Sequence, residues 1–433
     1  MTAARAWLAA VALAPLALAP AGCGVSDVGT ISIGLTTAPG STVMDRVTQL
    51  RLSFTTPPEV FVIDRTEQGF ELSLDLPATG DLSALTVEGL DGGGALVATG
   101  ATPPYPLSAT DARIVIYMAP PMSIGPAPVG LAPARTRPSV AALSYGVVLA
   151  GGVEGDGGPS DALQIYNAYD HTLATGLPMP AARVGATLGV IARNGVYLFG
   201  GEGPGGAVTG TLWLFDTNAE PSGRYAELSN RPELARTGAA AIPIGGDAFL
   251  LTGAPPLLLG SAQLAQPAEI PALGAGASVT ASDRTIASVL VDQETGELLG
   301  LRAGTVTPLG AQRKGAAVAV LPDARVAVIG GAAAPRDAII VDAVMGTLTP
   351  VPGALAEAYE SFAVAATARF VVVAGRRAGA ADTVIEVLDA ATLQRRHTAT
   401  VADAITAAIA LPNGQVMLVG AALQLFTPPP PDA

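Results

Sequence analysis

The glycine-rich segment from Gly201 to Gly206, GEGPGG, is the first candidate for chemistry in this chain. It follows an apolar run and matches the pattern of a dinucleotide-binding loop. Such a loop needs a helix N-terminus to meet the pyrophosphate, whereas the following residues 207–215, AVTGTLWLF, are typical of another strand. We therefore interpret the segment as a surface loop and predict no nucleotide cofactor.

Two acidic clusters could supply oxygen ligands to calcium. Asp156 and Asp161 lie in EGDGGPSD, and Asp292, Glu294 and Glu297 lie in DQETGE. Neither cluster has the full spacing of a calcium-binding loop, so solvated turns are the favoured interpretation. A His/Cys metal site is also disfavoured because the chain has one cysteine and two histidines. We predict no metal site.

The two histidines stand in similar contexts, His171 in YDHT and His397 in RRHT. Each follows an apolar run, and we predict that both occupy surface turns. A Ser-His-Asp triad is not excluded, but the sequence contains no G-x-S-x-G nucleophile motif. No catalytic residue is predicted.

The composition limits which fold classes and which kinds of partner are plausible for this chain. The chain has 433 residues, half of them apolar, which is enough for two or more domains. Its 51 glycines and 36 prolines punctuate many short runs rich in β-branched residues, a pattern that predicts an all-β protein. The net charge of −13 and the lack of a Lys/Arg cluster disfavour nucleic acid and anionic lipid as partners.

The N-terminal residues 1–22 have the pattern of an export signal, with one positive charge followed by a short apolar run. The run ends at Ala21-Gly22-Cys23 and resembles a bacterial lipoprotein signal, although Pro20 stands where that family prefers Leu. The resemblance implies that Cys23 is acylated, that residues 23–26 form a tether, and that the protein is anchored to the cell envelope, at the outer membrane. Ala19-Pro20-Ala21 also fits ordinary secretion, so a soluble secreted or periplasmic protein is one alternative, and an uncleaved N-terminal anchor is another.

Residues 27–120 show period-two alternation in seven short runs separated by turn residues. Phe70 and Leu72, for example, lie on one face of their run, which is typical of a strand that buries one side. Seven such strands predict a small β-sandwich, similar to immunoglobulin-like or prealbumin-like modules, and we expect it to act as a spacer. The Pro-rich segment 119–138 is predicted to be a linker.

From residue 121 to residue 427 an apolar run ending in glycine recurs. The clearest example is NGVYLFGG, Asn194 to Gly201, and the first glycine of each unit is Gly151, Gly200, Gly253, Gly330, Gly375 and Gly420. One eroded unit with Val291 at the glycine position fills the long gap, and the period is then about 45 residues. This period predicts four-stranded β-propeller blades. Our count is seven, with six and eight left open.

Other positions keep step with the glycines. Arg183, Arg236 and Arg313 each stand 17 residues before a repeat glycine, and strands end in acidic or amide residues such as Asp216. This arrangement resembles the kelch repeat, although the Trp of that family is mostly missing. The glycines are expected at crowded strand ends near the axis, where a side chain would collide with its neighbours. The Asn-Gly turns at Asn194 and Asn413 are expected to supply positive φ, and the strand-end acids to cap backbone donors.

The last unit has only three strands and ends at Thr427, before the Pro-rich tail 428–433. A blade with a missing outer strand leaves an open edge. We predict that residues near Ala127 to Ala134 supply this strand and so join the two ends of the propeller.

The sequence thus favours a non-enzymatic protein-binding or scaffolding module, acting as a monomer on an unknown envelope or extracellular protein. Contacts are expected from the loops Val153 to Ser160 and Glu202 to Gly210, because loops carry recognition on a rigid scaffold. The candidate contact residues are Glu154, Asp156, Asp161, Glu202 and Thr209. The alternative is a hydrolase or lyase that acts on an extracellular polymer at the propeller mouth.

Overall fold

The computed structural model describes residues 28–70, 72–77, 80–107, 113–245, 247–253, 255–260, 266–267, 282–283, 287–292, 296–300, 305–342 and 345–431. The predicted signal, Cys23, Glu294 and the last two residues lie outside this part. Within it the helical pieces are four short 3₁₀ turns, Val43–Arg46, Ala192–Asn194, Pro204–Gly206 and Pro232–Leu234. No described helix has the length and apolar character needed to cross a membrane.

The first nine strands are β1 (Val28–Thr36), β2 (Gln49–Phe54), β3 (Val60–Asp64), β4 (Ser73–Pro77), β5 (Leu82–Ser83), β6 (Leu85–Leu90), β7 (Leu96–Ala101), β8 (Tyr105–Pro106) and β9 (Arg113–Tyr117). They form a three-stranded sheet in the order β4-β1-β9, a four-stranded sheet in the order β3-β2-β6-β7, and the short pair β5-β8. Ile33, Leu52 and Ile116 come from both larger sheets and share one core. This arrangement fits the expected sandwich.

The segment predicted to be a linker is packed and contains β10 (Ser123–Pro126) and β11 (Arg135–Thr136). Ala119, Ala127 and Leu131 are buried in one cluster with Val147 and Leu149 of the repeat region. The segment connects the two regions, and it is also packed against the repeats and contributes β10 to their last blade. The sandwich and the repeats are joined by a hydrophobic junction.

Blades 1 to 3 follow. Blade 1 contains β12 (Ser139–Leu143), β13 (Gly146–Ala150), β15 (Leu163–Asn167) and β16 (Leu173–Thr175), with β14 (Val153–Glu154) paired to β11 outside the main sheet. Blade 2 contains β17 (Thr187–Val190), β18 (Gly195–Phe199), β19 (Thr211–Asp216) and β20 (Arg224–Asn230). Blade 3 contains β21 (Ala241–Gly245), β22 (Ala248–Leu251), β23 (Leu257–Leu259) and β24 (Gln266–Pro267).

Blades 4 to 7 complete the repeat region. Blade 4 contains β25 (Ser282–Asp283), β26 (Ala287–Asp292), β27 (Glu297–Gly300) and β28 (Thr305–Pro308). Blade 5 contains β29 (Ala317–Val320), β30 (Val326–Ile329), β31 (Ala338–Asp342) and β32 (Thr347–Val351). Blade 6 contains β33 (Ser361–Ala366), β34 (Phe370–Arg376), β35 (Thr383–Asp389) and β36 (Arg395–Val401). Blade 7 contains β37 (Ala407–Ala410), β38 (Val416–Val419) and β39 (Leu423–Thr427), with β10 as its outer strand.

The blades are arranged in a closed ring. The first strand of every blade contacts the first strand of the next, from β12 through β17, β21, β25, β29 and β33 to β37, and β37 contacts β12 again. A ring of four-stranded antiparallel sheets is a β-propeller. The all-β propeller prediction is confirmed, and the seven described sheets fit the expected count.

The ring is closed by a strand from the N-terminal side, as expected, but not by the expected residues. β10 pairs with β39 from Ser123 opposite Thr427 to Pro126 opposite Gln424, so the closing strand precedes the predicted segment. Ala127 adds one further bond, N–H to Leu423 O at 2.9 Å. Pro128 has no N–H to donate, and the chain must then leave this edge to reach Arg135 at blade 1. The predicted role of the closing strand is confirmed, whereas its predicted residues were wrong.

Both Asn-Gly turns contain a residue with positive φ, as predicted. Asn194 has φ of +60°, as predicted, whereas Gly195 beside it has φ of −67°. At the other Asn-Gly pair it is Gly414 that has positive φ, +82°, and Asn413 is not among the left-handed residues. The positive φ is thus adopted by the asparagine in one turn and by the glycine in the other.

The strand-end acids and amides act as predicted. Asp216 accepts a hydrogen bond from Asn218 N at 3.0 Å, and Asp389 accepts bonds from the N–H groups of Ala391 and Thr392, both at 3.1 Å. These carboxylates satisfy backbone donors in the turn before the outer strand. In this role they stabilise the turns of the fold.

Candidate functional site

One face of the propeller carries the repeat glycines and the predicted contact loops, and we call it the loop face. It lies where the second strand of a blade ends beside the start of the first, as Ala150 lies opposite Ser139 and Phe199 opposite Thr187. The loops 153–160 and 202–210 leave from this face. The turns that contain Asn194 and Asp216 lie on the opposite face.

Four buried or half-buried arginines hold the strand ends at the loop face. Each donates to a carbonyl at the end of the second strand of its own blade: Arg135 Nε to Gly151 O at 2.8 Å, Arg183 Nη1 to Gly200 O at 2.9 Å, Arg236 Nη1 to Thr252 O at 2.8 Å and Arg313 Nη1 to Gly330 O at 3.2 Å. Arg135 was missed in the sequence because it stands 16 residues before its glycine, not 17. All four positions serve the fold.

The same segments fasten neighbouring blades together. Gly152 N donates to Arg183 O at 3.0 Å, and Gly201 N donates to Arg236 O at 2.9 Å. A Cβ atom at Gly200 would lie 2.2 Å from Arg236 O, where φ is also +66°. At Gly151 and Gly200 glycine is needed because the next blade approaches closely. At Gly253, Gly375 and Gly420 an added Cβ would first meet a side chain of the same blade.

Burial of these guanidinium groups depresses their affinity for protons without neutralising them. Desolvation lowers the pKa of Arg183 to about 10, and the Glu227 carboxylate acts in the opposite direction. The Arg183 guanidinium also lies 3.7 Å from the centre of the Trp213 ring, within cation–π distance. Arg183 is therefore charged at neutral pH and committed to contacts inside the blade.

The five predicted contact residues are dispersed. Glu154 lies in β14 and accepts a bond from Ser160 Oγ at 2.6 Å, while Asp156 accepts the N–H of Gly158 at 2.9 Å within its own turn. Thr209 Oγ1 is 2.9 Å from Thr211 Oγ1, and Asp161 is exposed. Glu202 is exposed and lines an open cavity on the loop face. Of the five, the structure brings only Glu202 into this cavity.

Two adjoining cavities open at the start of the inner strands of blades 1 to 3. One, of about 430 Å³, is lined by residues of both predicted loops, including Val153, Gly157 and Glu202. The other, of about 420 Å³, is lined by the first residues of the inner strands, including Ser139 and Thr187. Arg137, Gly185 and Gly238 line both cavities. These volumes are in the range of ligand pockets.

Arg137 is the functional candidate that the sequence interpretation missed. It stands two residues after Arg135, at the place where Gly185 follows Arg183 and Gly238 follows Arg236. Its φ is +54°, beside +68° and +62° at the two glycines. A side chain in the left-handed region costs about 1–2 kcal/mol, which glycine avoids. The signal was present in the sequence as Arg-x-Arg where other units have Arg-x-Gly.

The chemical alternatives receive no support from the described residues. Among them no group of three or more His, Cys, Asp or Glu is placed to hold a metal ion. The segment GEGPGG contains only the short 3₁₀ turn Pro204–Gly206 and then leads to β19, so it has no helix N-terminus for a pyrophosphate. Part of DQETGE lies outside the described residues.

Both histidine predictions are wrong. His171 does occupy a turn, with φ of +56°, but its side chain is 2 % exposed at the junction with the sandwich. Its Nε2 accepts the N–H of Tyr117 at 3.2 Å, and its Nδ1 is 2.5 Å from Tyr166 Oη. Burial lowers the pKa of His171 to about 4, against the opposing effect of Asp170. His397 lies in the outer strand β36 and is half-buried.

Comparison with known proteins gives structural likenesses alone. No family model matches the chain, and no curated protein matches it. Among solved structures, "YCF48 bound to D1 peptide" is 12% identical with a TM-score of 0.48, covering 72% of this chain and 97% of that one. "Streptogramin B lyase structure" is 11% identical with a TM-score of 0.49, covering 70% and 96%. At these scores neither likeness bears on what this chain binds.

Proposed function

We propose that this chain is a non-enzymatic binding module of the cell envelope that recognises a protein through the loop face. The observation that carries the proposal is the pair of adjoining cavities bordered by the two variable loops and by Arg137. They have the size of a recognition site, and their charged lining consists of Arg137 and Glu202. The sandwich is then a spacer, and the resemblance of the N-terminus to lipoprotein signals supports an anchor at Cys23.

We favour binding over a hydrolase or lyase activity because most charged groups of the described loop face already make hydrogen bonds within the fold. Arg135, Arg183 and Arg313 donate to backbone carbonyls, and Asp156 accepts a backbone N–H. A catalytic mouth needs a nucleophile or an acid and base within reach of one bound atom. Sustained turnover of a polysaccharide or an ester by the purified chain would contradict the proposal.

The binding role can be tested by recovering partners from an envelope extract with the tagged full-length chain. The loop-face variant Asp156→Lys with Glu202→Lys reverses two exposed charges, and Glu220→Lys makes the same kind of change in the turn after β19 on the opposite face. We expect a partner that is recovered by the wild type and by Glu220→Lys and is lost with the loop-face variant. Equal recovery of the partner by all three chains would show that it binds a surface other than the loop face.

The anchor needs its own experiment, which is fractionation of cells that express the wild type or Cys23→Ala. An acylated Cys23 places the wild type in the membrane fraction, and the variant then appears in the soluble fraction. Substitution of Pro20 by Leu restores the residue that lipoprotein signals prefer and is expected to leave the wild-type distribution unchanged or sharper. A variant that stays in the membrane fraction would remove the lipid anchor from the proposal.

A further inference from the structure

We propose that Arg137 anchors a peptide site on the loop face, where its guanidinium binds a carboxylate of the partner and Glu202 faces a basic side chain next to that carboxylate. The site rests on the binding function proposed above, and it gives that function a place and a ligand chemistry. The sequence had pointed to acidic loop residues and not to a cation.

The repeat itself shows that the fold does not need a side chain at this position. The equivalent residues are Arg137, Gly185, Gly238 and Gly315, with φ of +54°, +68°, +62° and +74°. φ is thus in the left-handed region in all four blades, and three of them use glycine, which adopts it without strain. Arg137 also precedes Pro138, which restricts its backbone further. A strained residue kept where glycine suffices indicates a function for its side chain.

The space around the position accommodates a side chain. A Cβ atom at Gly238 or Gly315 would meet no heavy atom within 4 Å, and one at Gly185 would meet its first neighbours at 3.9 Å. The side chain of Arg137 therefore extends into the open region and lines both cavities. No steric contact at this position requires arginine in place of glycine.

The guanidinium of Arg137 has no partner within the described part of the chain. It is exposed and makes no hydrogen bond or ion pair with a described residue, whereas Arg135 two residues earlier donates to Gly151 O, Pro133 O and Gln164 Oε1. An unpaired guanidinium presents a planar fork of donors that matches a carboxylate. Arg135 serves the fold, and Arg137 is left for a ligand.

Glu202 narrows the ligand class. It is the other charged residue that lines the 430 Å³ cavity, so that cavity presents one positive and one negative group. A sulfated polysaccharide or another dense polyanion would be repelled by the Glu202 carboxylate and by the net charge of −13. A peptide with an acidic group beside Lys or Arg matches both charges.

The test is selection of a displayed random-peptide library on three immobilised full-length chains: wild type, Arg137→Gly and Arg224→Ala. Arg137→Gly restores the residue of the other blades, so it should fold with an unchanged or higher thermal midpoint. Arg224→Ala removes an exposed arginine from β20 as a matched control. We expect wild type and control to enrich peptides with Asp or Glu next to Lys or Arg, and Arg137→Gly to lose this enrichment and bind the resynthesised peptides at least tenfold more weakly.

Two further peptides locate the carboxylate. Amidation of the C-terminus abolishes binding if the terminal carboxylate is the ligand, and replacement of Asp or Glu by Asn or Gln abolishes it if a side chain is. Four outcomes would each overturn the site. In the first two, the amidated and the Asn or Gln peptides both still bind, or the library enriches peptides without acidic groups. In the other two, Arg137→Gly binds with the affinity of the wild type, or no peptide is enriched. Displacement of the peptide by heparin that also depends on Arg137 would assign a polyanion and overturn it as well. Recovery of an envelope partner by the loop face is a separate result and would survive all of these.

Discussion

At the scale of single residues, the environment decides which charged groups are available. Arg183 and Arg137 are both arginines of the loop face, yet one donates to Gly200 O inside its blade and the other is exposed. The environment also decides the charge of His171, because its neighbours stabilise the neutral imidazole. Because its Nε2 accepts the N–H of Tyr117, a proton on that nitrogen would place two donors against each other.

The buried His171 predicts an acid-labile protein. Its pKa is lowered to about 4 from an ordinary value of 6.5, so the unfolded chain takes up the proton first as the pH falls. The contribution of His171 to the free energy of unfolding is therefore complete above about pH 6.5, and it falls by about 3 kcal/mol as the pH is lowered to 4. Urea unfolding between pH 4 and pH 8 measures this slope.

His171→Gln is the matched variant for this experiment, because an amide can accept from Tyr117 N but does not titrate. We expect a flatter pH dependence between pH 4 and pH 6.5 than in the wild type. Carboxylates titrate equally in both chains, so their contribution cancels in the difference. Identical slopes in the two chains would show that His171 does not control acid stability.

At the scale of elements, the repeat unit is a set of blade-to-blade contacts as much as a set of strands. In blades 1 and 2 the second glycine of the pair donates to the arginine segment of the next blade, and the Oγ of Ser139 donates to Ala186 O at 2.6 Å. Thr187 Oγ1 makes the equivalent bond to Ala239 O at 2.8 Å. Blades 1, 2 and 3 are thereby fastened to one another at the loop face by backbone and hydroxyl groups.

Gly200→Ala tests this contact against a control in the same blade. At Gly200 the new Cβ would clash with Arg236 O at 2.2 Å and φ is +66°, so we expect a loss of at least about 3 kcal/mol in unfolding free energy. At Gly205 φ is +78° but no atom lies within 4 Å, so Gly205→Ala should cost about 1 kcal/mol. Urea denaturation of both variants gives the comparison, and equal losses would refute the close-approach explanation.

The closing strand makes a second prediction at this scale. Ile124 lies opposite Phe426 in the β10–β39 pair and packs against the cluster of blades 6 and 7. Ile124→Asp places a charge in this apolar contact and should destabilise the protein by about 2–4 kcal/mol. Ser123→Asp in the same strand should cost less than about 1 kcal/mol. Thermal unfolding of both variants measures the difference, and a harmless Ile124→Asp would show that ring closure does not depend on β10.

At the scale of the whole molecule, the sandwich and the propeller form one packed body at their junction. Tyr117 ends the last sandwich strand and is buried with Val147 and Leu149 of blade 1. Tyr169 O accepts the N–H of Val115 at 2.8 Å, which continues the contact. The tail is tied in as well, since Arg369 donates to Pro429 O at 2.8 Å and to Pro430 O at 2.7 Å.

This shared junction predicts that the sandwich and the propeller unfold together. We expect one cooperative transition of the wild type in scanning calorimetry, because neither unit loses the junction without exposing buried apolar surface. Tyr117→Ala removes the central side chain and should separate the transition into two, with the sandwich melting first. Val62→Ala, an exposed position on β3, is the control and should leave a single transition. Two separate transitions in the wild type would contradict the packed junction.

The sequence by itself determined the all-β class, the seven longer strands of the first region, though not its short pair β5–β8, and the register of the repeat. These follow from local alternation and from a period of about 45 residues, and both are written in consecutive residues. Of the candidate site, the loops were predicted and one contact residue, Glu202, lies in the cavity. Arg137 was missed because its meaning depends on comparison with glycines in other blades.

Only the tertiary structure decided why the glycines recur, which strand closes the ring, and that His171 is buried. Each answer depends on atoms far away in the chain: Arg236 O beside Gly200, Thr427 beside Ser123, and Tyr117 above His171. Burial, close approach and desolvation are properties of neighbours in space, and a linear pattern does not specify which neighbours those are. The chain therefore encoded its blades locally, and the contacts between blades assigned the roles of its charged and polar side chains.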